Sequence, residues 1–149
     1  MSIRRLMLLA LCALSMALTG CGGKDERTLV GNWSFSERIL DQDAMSSMVL
    51  QPDGKMIQYF RIEFYKQPGA LEIRGNWEED KEKQSLTITK SEVYWNGMLT
   101  EMPQLLGTES GPYRWVEGGI EWTREVGGKK VTTKLAGAGG VTSVKPKDK

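Results

Sequence analysis

From about residue 28 to 135, apolar and polar residues alternate with a period of two, and turn signals interrupt the pattern every eight to twelve residues. A period of two puts successive side chains on opposite faces of a strand, so the chain is expected to fold as half-buried antiparallel strands. The cleanest stretch is Ala70 to Glu79. There Leu71, Ile73, Gly75 and Trp77 face one way, and Glu72, Arg74, Asn76 and Glu78 the other. Lys55 to Tyr65 sets Met56, Phe60, Ile62 and Phe64 against Tyr59, Arg61 and Glu63. Further strands are expected at Met48–Gln51, Ser85–Thr89, Val93–Trp95, Met98–Thr100, Tyr113–Glu117, Ile120–Glu125 and Lys130–Leu135. The turns between them have definite chemistry. Pro52-Asp53-Gly54 suits a type I turn with glycine in the left-handed position, Asn96-Gly97 is a strong hairpin signal, and Gly118-Gly119 and Gly127-Gly128 separate the last strands. Asp41–Ser47 and Met102–Ser110 are weaker segments and read as loops or short helical turns. Some eight or nine strands joined by tight turns favour a small all-β, antiparallel up-and-down β-barrel, because sequence neighbours pair directly and closure removes exposed edges.

Ahead of this domain stands a leader. Arg4 and Arg5 precede an apolar run from Leu6 to Leu18, too short for a bilayer-spanning helix of about 20 residues but right for a secretory signal peptide. The segment Leu18-Thr19-Gly20-Cys21 that ends it resembles the lipobox of bacterial lipoproteins. The resemblance implies that residues 1–20 are a signal peptide, that Cys21 receives a thioether-linked diacylglycerol, and that cleavage falls before it. Several acyl chains, at about 0.8 kcal/mol per buried methylene, hold a protein on a membrane without spanning it. Residues 21–27 are then a short tether. In Gram-negative lipoproteins an aspartate after the lipidated cysteine favours the inner membrane. Gly22 stands there, so the expected place is the cell envelope, on the periplasmic face of the outer membrane if the host is Gram-negative.

Gly31-Asn32-Trp33 recurs as Gly75-Asn76-Trp77. The first copy, within Leu29-Val30-Gly31-Asn32-Trp33-Ser34-Phe35, resembles the Leu-x-Gly-x-Trp opening of bacterial lipocalin-like domains; Pro52-Asp53-Gly54, the second Gly-x-Trp and Ser85-Leu86-Thr87-Ile88-Thr89 extend the likeness over about 28–124. The folded segment is shorter than a full lipocalin, and no later lipocalin signature is evident. The resemblance implies a calyx-like barrel domain at 28–135, sometimes with an apolar pocket, and names no ligand. Every aromatic residue lies between Trp33 and Trp122, so residues 136–149 are expected to be a flexible basic tail.

The chemistry open to the chain is narrow. It has no histidine, hence no side chain that titrates unperturbed near neutrality and no imidazole metal ligand. Cys12 lies in the leader and Cys21 is consumed by lipid, so no thiol remains for a metal or a nucleophile. Glu78-Glu79-Asp80, Glu117 and Glu121 are carboxylates on which a hydrolase could rest, but the mixed-sign run Glu78 to Lys83 reads as a solvated hairpin turn, where a carboxyl group is a poor general acid. No catalytic residue, metal site or cofactor is expected, and the protein is not expected to be an enzyme. Residues 21–128 carry 18 acidic and 12 basic side chains, against one and six in 129–149, so no nucleic-acid partner is expected either.

Two functional readings stand. In the first, the anchored barrel binds a small apolar or amphipathic ligand, with Trp33, Phe60, Phe64, Trp77 and Trp95 as candidate pocket residues. In the second, the barrel is filled by its own side chains and serves protein interaction or structure in the envelope. A barrel of eight strands permits both, being just wide enough to be filled by side chains or to hold one small ligand. The sequence leaves the oligomeric state open.

Overall fold

Most of the strands form where the alternation places them. In the structure, a computed structural model that describes residues 27–137, the strands are β1 (Gly31–Ile39), β2 (Gln42–Leu50), β3 (Lys55–Phe64), β4 (Gln67–Asp80), β5 (Ser85–Trp95), β6 (Met98–Leu99), β7 (Gly107–Val116), β8 (Gly119–Val126) and β9 (Lys129–Gly137). A 3-10 turn, Pro103–Leu105, follows β6. All pairings are antiparallel. Eight strands run round in the order β1-β2-β3-β4-β5-β7-β8-β9, and β9 returns to β1; β6 is an added two-residue strand on the upper part of β5. The fold is the expected all-β up-and-down barrel. The leader, Cys21, Gly22, most of the tether and the tail from 138 onward lie outside the described residues.

Meander topology gives the barrel two distinct ends. The near end holds Arg27, Gly137 and the turns at 51–54, 81–84 and 117–118; the far end holds the turns at 40–41, 65–66, 96–97 and 127–128. The buried apolar side chains divide accordingly. Leu29, Trp33, Phe35, Met48, Leu50, Met56, Leu86, Ile88, Tyr113, Ile120, Trp122 and Leu135 form one cluster. Ile39, Ala44, Phe60, Ile62, Leu71, Ile73, Val93 and Met102 form the other. Burying a leucine, isoleucine or phenylalanine of this kind contributes about 1.5–3 kcal/mol.

β1 stands outside the strands expected from the alternation, Ser85–Thr89 and Val93–Trp95 are parts of one strand, β5, and two further segments differ from the reading above. Residues 41–47 lie mostly in β2, where Ala44, Ser46, Met48 and Leu50 face the core and Asp43, Met45 and Ser47 face solvent. Small and polar residues at both parities hid that alternation, and the turn before it uses Leu40 and Asp41 at φ 46° and 62° without a glycine. Residues 102–110 split into the 3-10 turn and the start of β7, with Met102 dropped into the far cluster as a plug. β9 also runs to Gly137, past the expected boundary at 135, because Gly137 N donates to Gly118 O and pairs with Trp33.

Glycine is required where strands pass closest. A Cβ on Gly75, beside the register shift between β4 and β5, would stand 1.8 Å from Thr89 O, and one on Gly111 would stand 1.9 Å from Thr123 O.

Candidate functional site

The five pocket candidates do not converge on one place. Trp33 and Trp77 belong to the near cluster and Phe60, Phe64 and Trp95 to the far one. Each near tryptophan is fixed by its indole N–H, Trp33 Nε1 donating to Leu29 O and Trp77 Nε1 to Gln51 O, both at 2.8 Å. Trp33 also lies 6.3 Å, centroid to centroid, from Trp115. At the far end Phe64 and Trp95 meet edge to face at 5.5 Å. The aromatic side chains pack within the ends of the barrel.

Between the two clusters lies a layer of polar side chains that the alternation points inward. Arg124, 4 % exposed, is its centre. Its guanidinium donates from Nε to Glu109 Oε2 at 2.5 Å, from one terminal nitrogen to Thr133 Oγ1 at 2.7 Å and from the other to Glu37 Oε1 at 3.1 Å, while its plane stacks 4.6 Å over the Trp122 ring. Lys90 Nζ donates to the remaining Glu109 oxygen at 2.8 Å. Gln58 Nε2 donates to Glu37 Oε2 at 3.0 Å and to Ser46 Oγ at 2.9 Å. Two cations face two carboxylates, and among the described residues every buried side-chain nitrogen and oxygen has a partner.

Such a layer holds together only because it is complete. Burial alone would raise the Glu109 carboxyl, but Lys90 and Arg124 outweigh it and hold Glu109 below its ordinary range. Taking charges out of water is offset here by a planar fork that meets two carboxylates at once. The sequence carries a signal for this layer in polar residues set among apolar ones on the inward faces of the strands. Glu37 stands between Phe35 and Ile39, Ser46 between Ala44 and Met48, Gln58 between Met56 and Phe60, and Arg124 two residues after Trp122, each at an inward position of its strand.

Three of the five carboxylates considered for hydrolysis are engaged elsewhere. Glu79 accepts the Tyr113 hydroxyl, Asp80 caps the turn at Lys83 N, and Glu121 pairs with Arg114. Burial, then the bond to Glu79, pushes the Tyr113 phenol well above its usual value. Among the described residues no group of three acidic or cysteine side chains is placed to hold a metal ion. A groove of about 530 Å³, wide open to solvent, runs along the β3–β4 rim between Gln42, Arg61, Glu63 and Pro68 and touches none of the five aromatic candidates.

No curated protein and no solved structure matches the chain. The model of a family described as "Domain of unknown function (DUF3994)" matches residues 18–108, more than half of the chain, from the end of the leader to the start of β7.

Proposed function

The chain belongs to the DUF3994 family, whose description carries no activity, and we propose that this protein is a lipid-anchored envelope lipoprotein with a self-filled, non-catalytic barrel that works through its outer surface. The observation that carries the self-filled reading is the polar layer. Glu37, Gln58, Lys90, Glu109 and Arg124 occupy the level at which a calyx would hold its ligand, and their charges are used up on one another. An apolar ligand there would have to displace paired charges and leave them unsatisfied. The anchor rests on the leader and on Cys21; a lipid there would hold the protein in the cell envelope, and Gly22 favours the outer membrane if the host is Gram-negative. Its partners on this reading are the membrane, through lipid on Cys21, and another envelope protein.

One preparation tests both parts. The full chain is extracted from membranes in detergent, its N-terminal peptide is weighed, and its tryptophan fluorescence is followed during titration with palmitate and with a lysophospholipid. The reading expects a diacylglycerol mass on Cys21 and no saturable change in fluorescence. A saturable one-to-one response would overturn the filled barrel in favour of the ligand-carrying reading, and an unmodified Cys21 would overturn the anchor.

A further inference from the structure

The wall of the barrel is not equally continuous all the way round. Backbone pairing between β7 and β8 covers only Tyr113–Val116 against Gly119–Trp122, and between β1 and β9 only Trp33↔Gly137 and Ser34↔Ala136. The hairpin of β8 and β9 is itself fully paired, from Gly119↔Ala136 to Val126↔Lys129. Its distal part, residues 123–133, therefore lacks ladder partners on both sides, toward β1 at 35–39 and toward β7 at 107–112.

The break on the β7 side has a local cause. Tyr113 N donates to Gln84 O on the β5 side, so the backbone of the preceding residue faces β8, and that residue is Pro112, which has no N–H to give. Among the described residues, every side-chain hydrogen bond or ion pair that joins 123–133 to the rest of the barrel belongs to Arg124, which reaches Glu109 on β7 and Glu37 on β1. Val126 and Val131, on the inward-facing side of the same segment, remain partly exposed at 43 % and 38 %. The free edges also carry features that discourage pairing with another chain: Pro112, the inward-pointing Arg124, and Lys129, Lys130 and Lys134.

We propose that residues 123–133 form a flap that opens from the barrel as a unit, with Arg124 as its latch. The base of the flap is the paired near end, Gly119–Trp122 and Leu135–Gly137, and the moving part carries Val126 and Val131. Opening it breaks the polar side-chain contacts of Arg124 and the close approach of Thr123 to Gly111, and no interstrand ladder outside the hairpin. It uncovers the polar layer and the edges of β1 and β7, an entrance that an evenly paired barrel lacks. The flap is independent of the function proposed above, since it rests on pairing and on Arg124 alone.

Native-state amide hydrogen exchange on the full chain tests it. In the wild type, amides of 123–126 and 129–133 are expected to exchange at least about tenfold faster than those of β3 and β4, and with a weaker dependence on added denaturant, as a sub-global opening requires. In Arg124→Met the same amides lose nearly all protection while β3 and β4 stay protected. Equal rates and equal denaturant dependence in the hairpin and in β3–β4 would overturn the proposal. If Arg124→Met does not fold, the wild-type comparison decides it alone.

Discussion

The β1–β5 side of the barrel and its β8–β9 side solve the same problem by different means. From β1 to β5 three of the four ladders run for nine or ten pairs, from Gly31↔Leu50 through Lys55↔Asn76 to Asp80↔Ser85, while β2–β3 pairs over five and is closed beyond them by the Gln42 side chain on the Glu63 backbone; the core behind is apolar except for Glu37, Ser46, Gln58 and Lys90. On the other side the ladders to β7 and β1 stop after four pairs and two. There Arg124, Glu109 and Glu37 span from strand to strand in place of backbone bonds. Backbone hydrogen bonds are repeated and individually modest, so the loss of one is absorbed. A single buried guanidinium joining three strands is not repeated, and removing it leaves carboxylates buried with too little charge to face them.

That contrast orders the expected effects of mutation. Trp33→Ala, which opens a cavity in the near cluster and removes the bond to Leu29 O, is expected to lower stability by about 3–5 kcal/mol in urea unfolding, with the whole barrel unfolding earlier. Arg124→Met is expected to lower it by about 3 kcal/mol despite keeping an apolar stem of similar length, because Glu37 and Glu109 lose their shared cation. Adding Glu37→Gln to that variant is expected to recover part of the loss; no recovery would mean that packing, not charge, gives Arg124 its weight.

Acid should weaken the same side selectively. Glu109 is held below its ordinary value of 4.5, so its contribution is fully present above about pH 4.5 and fades as pH falls through its lower folded value. Thermal unfolding from pH 7 to pH 2 is expected to show that loss, and Glu109→Gln, less stable at pH 7, is expected to show a flatter acid limb. Tyr113 behaves in the opposite sense. Its phenol is raised by burial and by Glu79, so its contribution is present below pH 10 and is lost as pH rises toward the folded value, a dependence that Tyr113→Phe should abolish. The smallest effect tests the backbone directly. Pro112→Val supplies the missing N–H toward β8 and is expected to gain no more than about 1 kcal/mol, read as a rise in the urea midpoint.

The parts of this fold that could be read from the sequence are those where one residue class marks one face. Leu71, Ile73, Gly75 and Trp77 gave β4 its inward side, and Pro52-Asp53-Gly54 and Asn96-Gly97 gave two turns, so barrel and meander followed. β2 was harder, because Ser46 faces inward and Met45 outward, the reverse of what their polarity suggests. The turns at Leu40-Asp41 and Tyr65-Lys66 adopt positive φ without glycine and leave no mark in composition. The aromatic residues read as candidates for one pocket, but alternation carries no information that Trp33 and Trp77 lie at the opposite end from Phe60, Phe64 and Trp95. Nor could it tell that Glu37, Lys90, Glu109 and Arg124, spread over four strands, meet at one level between them. Charge balance across a barrel interior is a property of strand register, and register is fixed only once every strand has its partner.

Scalar couplings measured by NMR across backbone hydrogen bonds test the contrast between the two sides most directly, since each coupling reports one N–H···O=C pair. The account predicts couplings in register along β3–β4 from Lys55↔Asn76 to Phe64↔Gln67, and none between β7 and β8 beyond Tyr113↔Trp122 or between β1 and β9 beyond Ser34↔Ala136. An unbroken ladder of couplings from β8 to β7 or from β9 to β1 would contradict it.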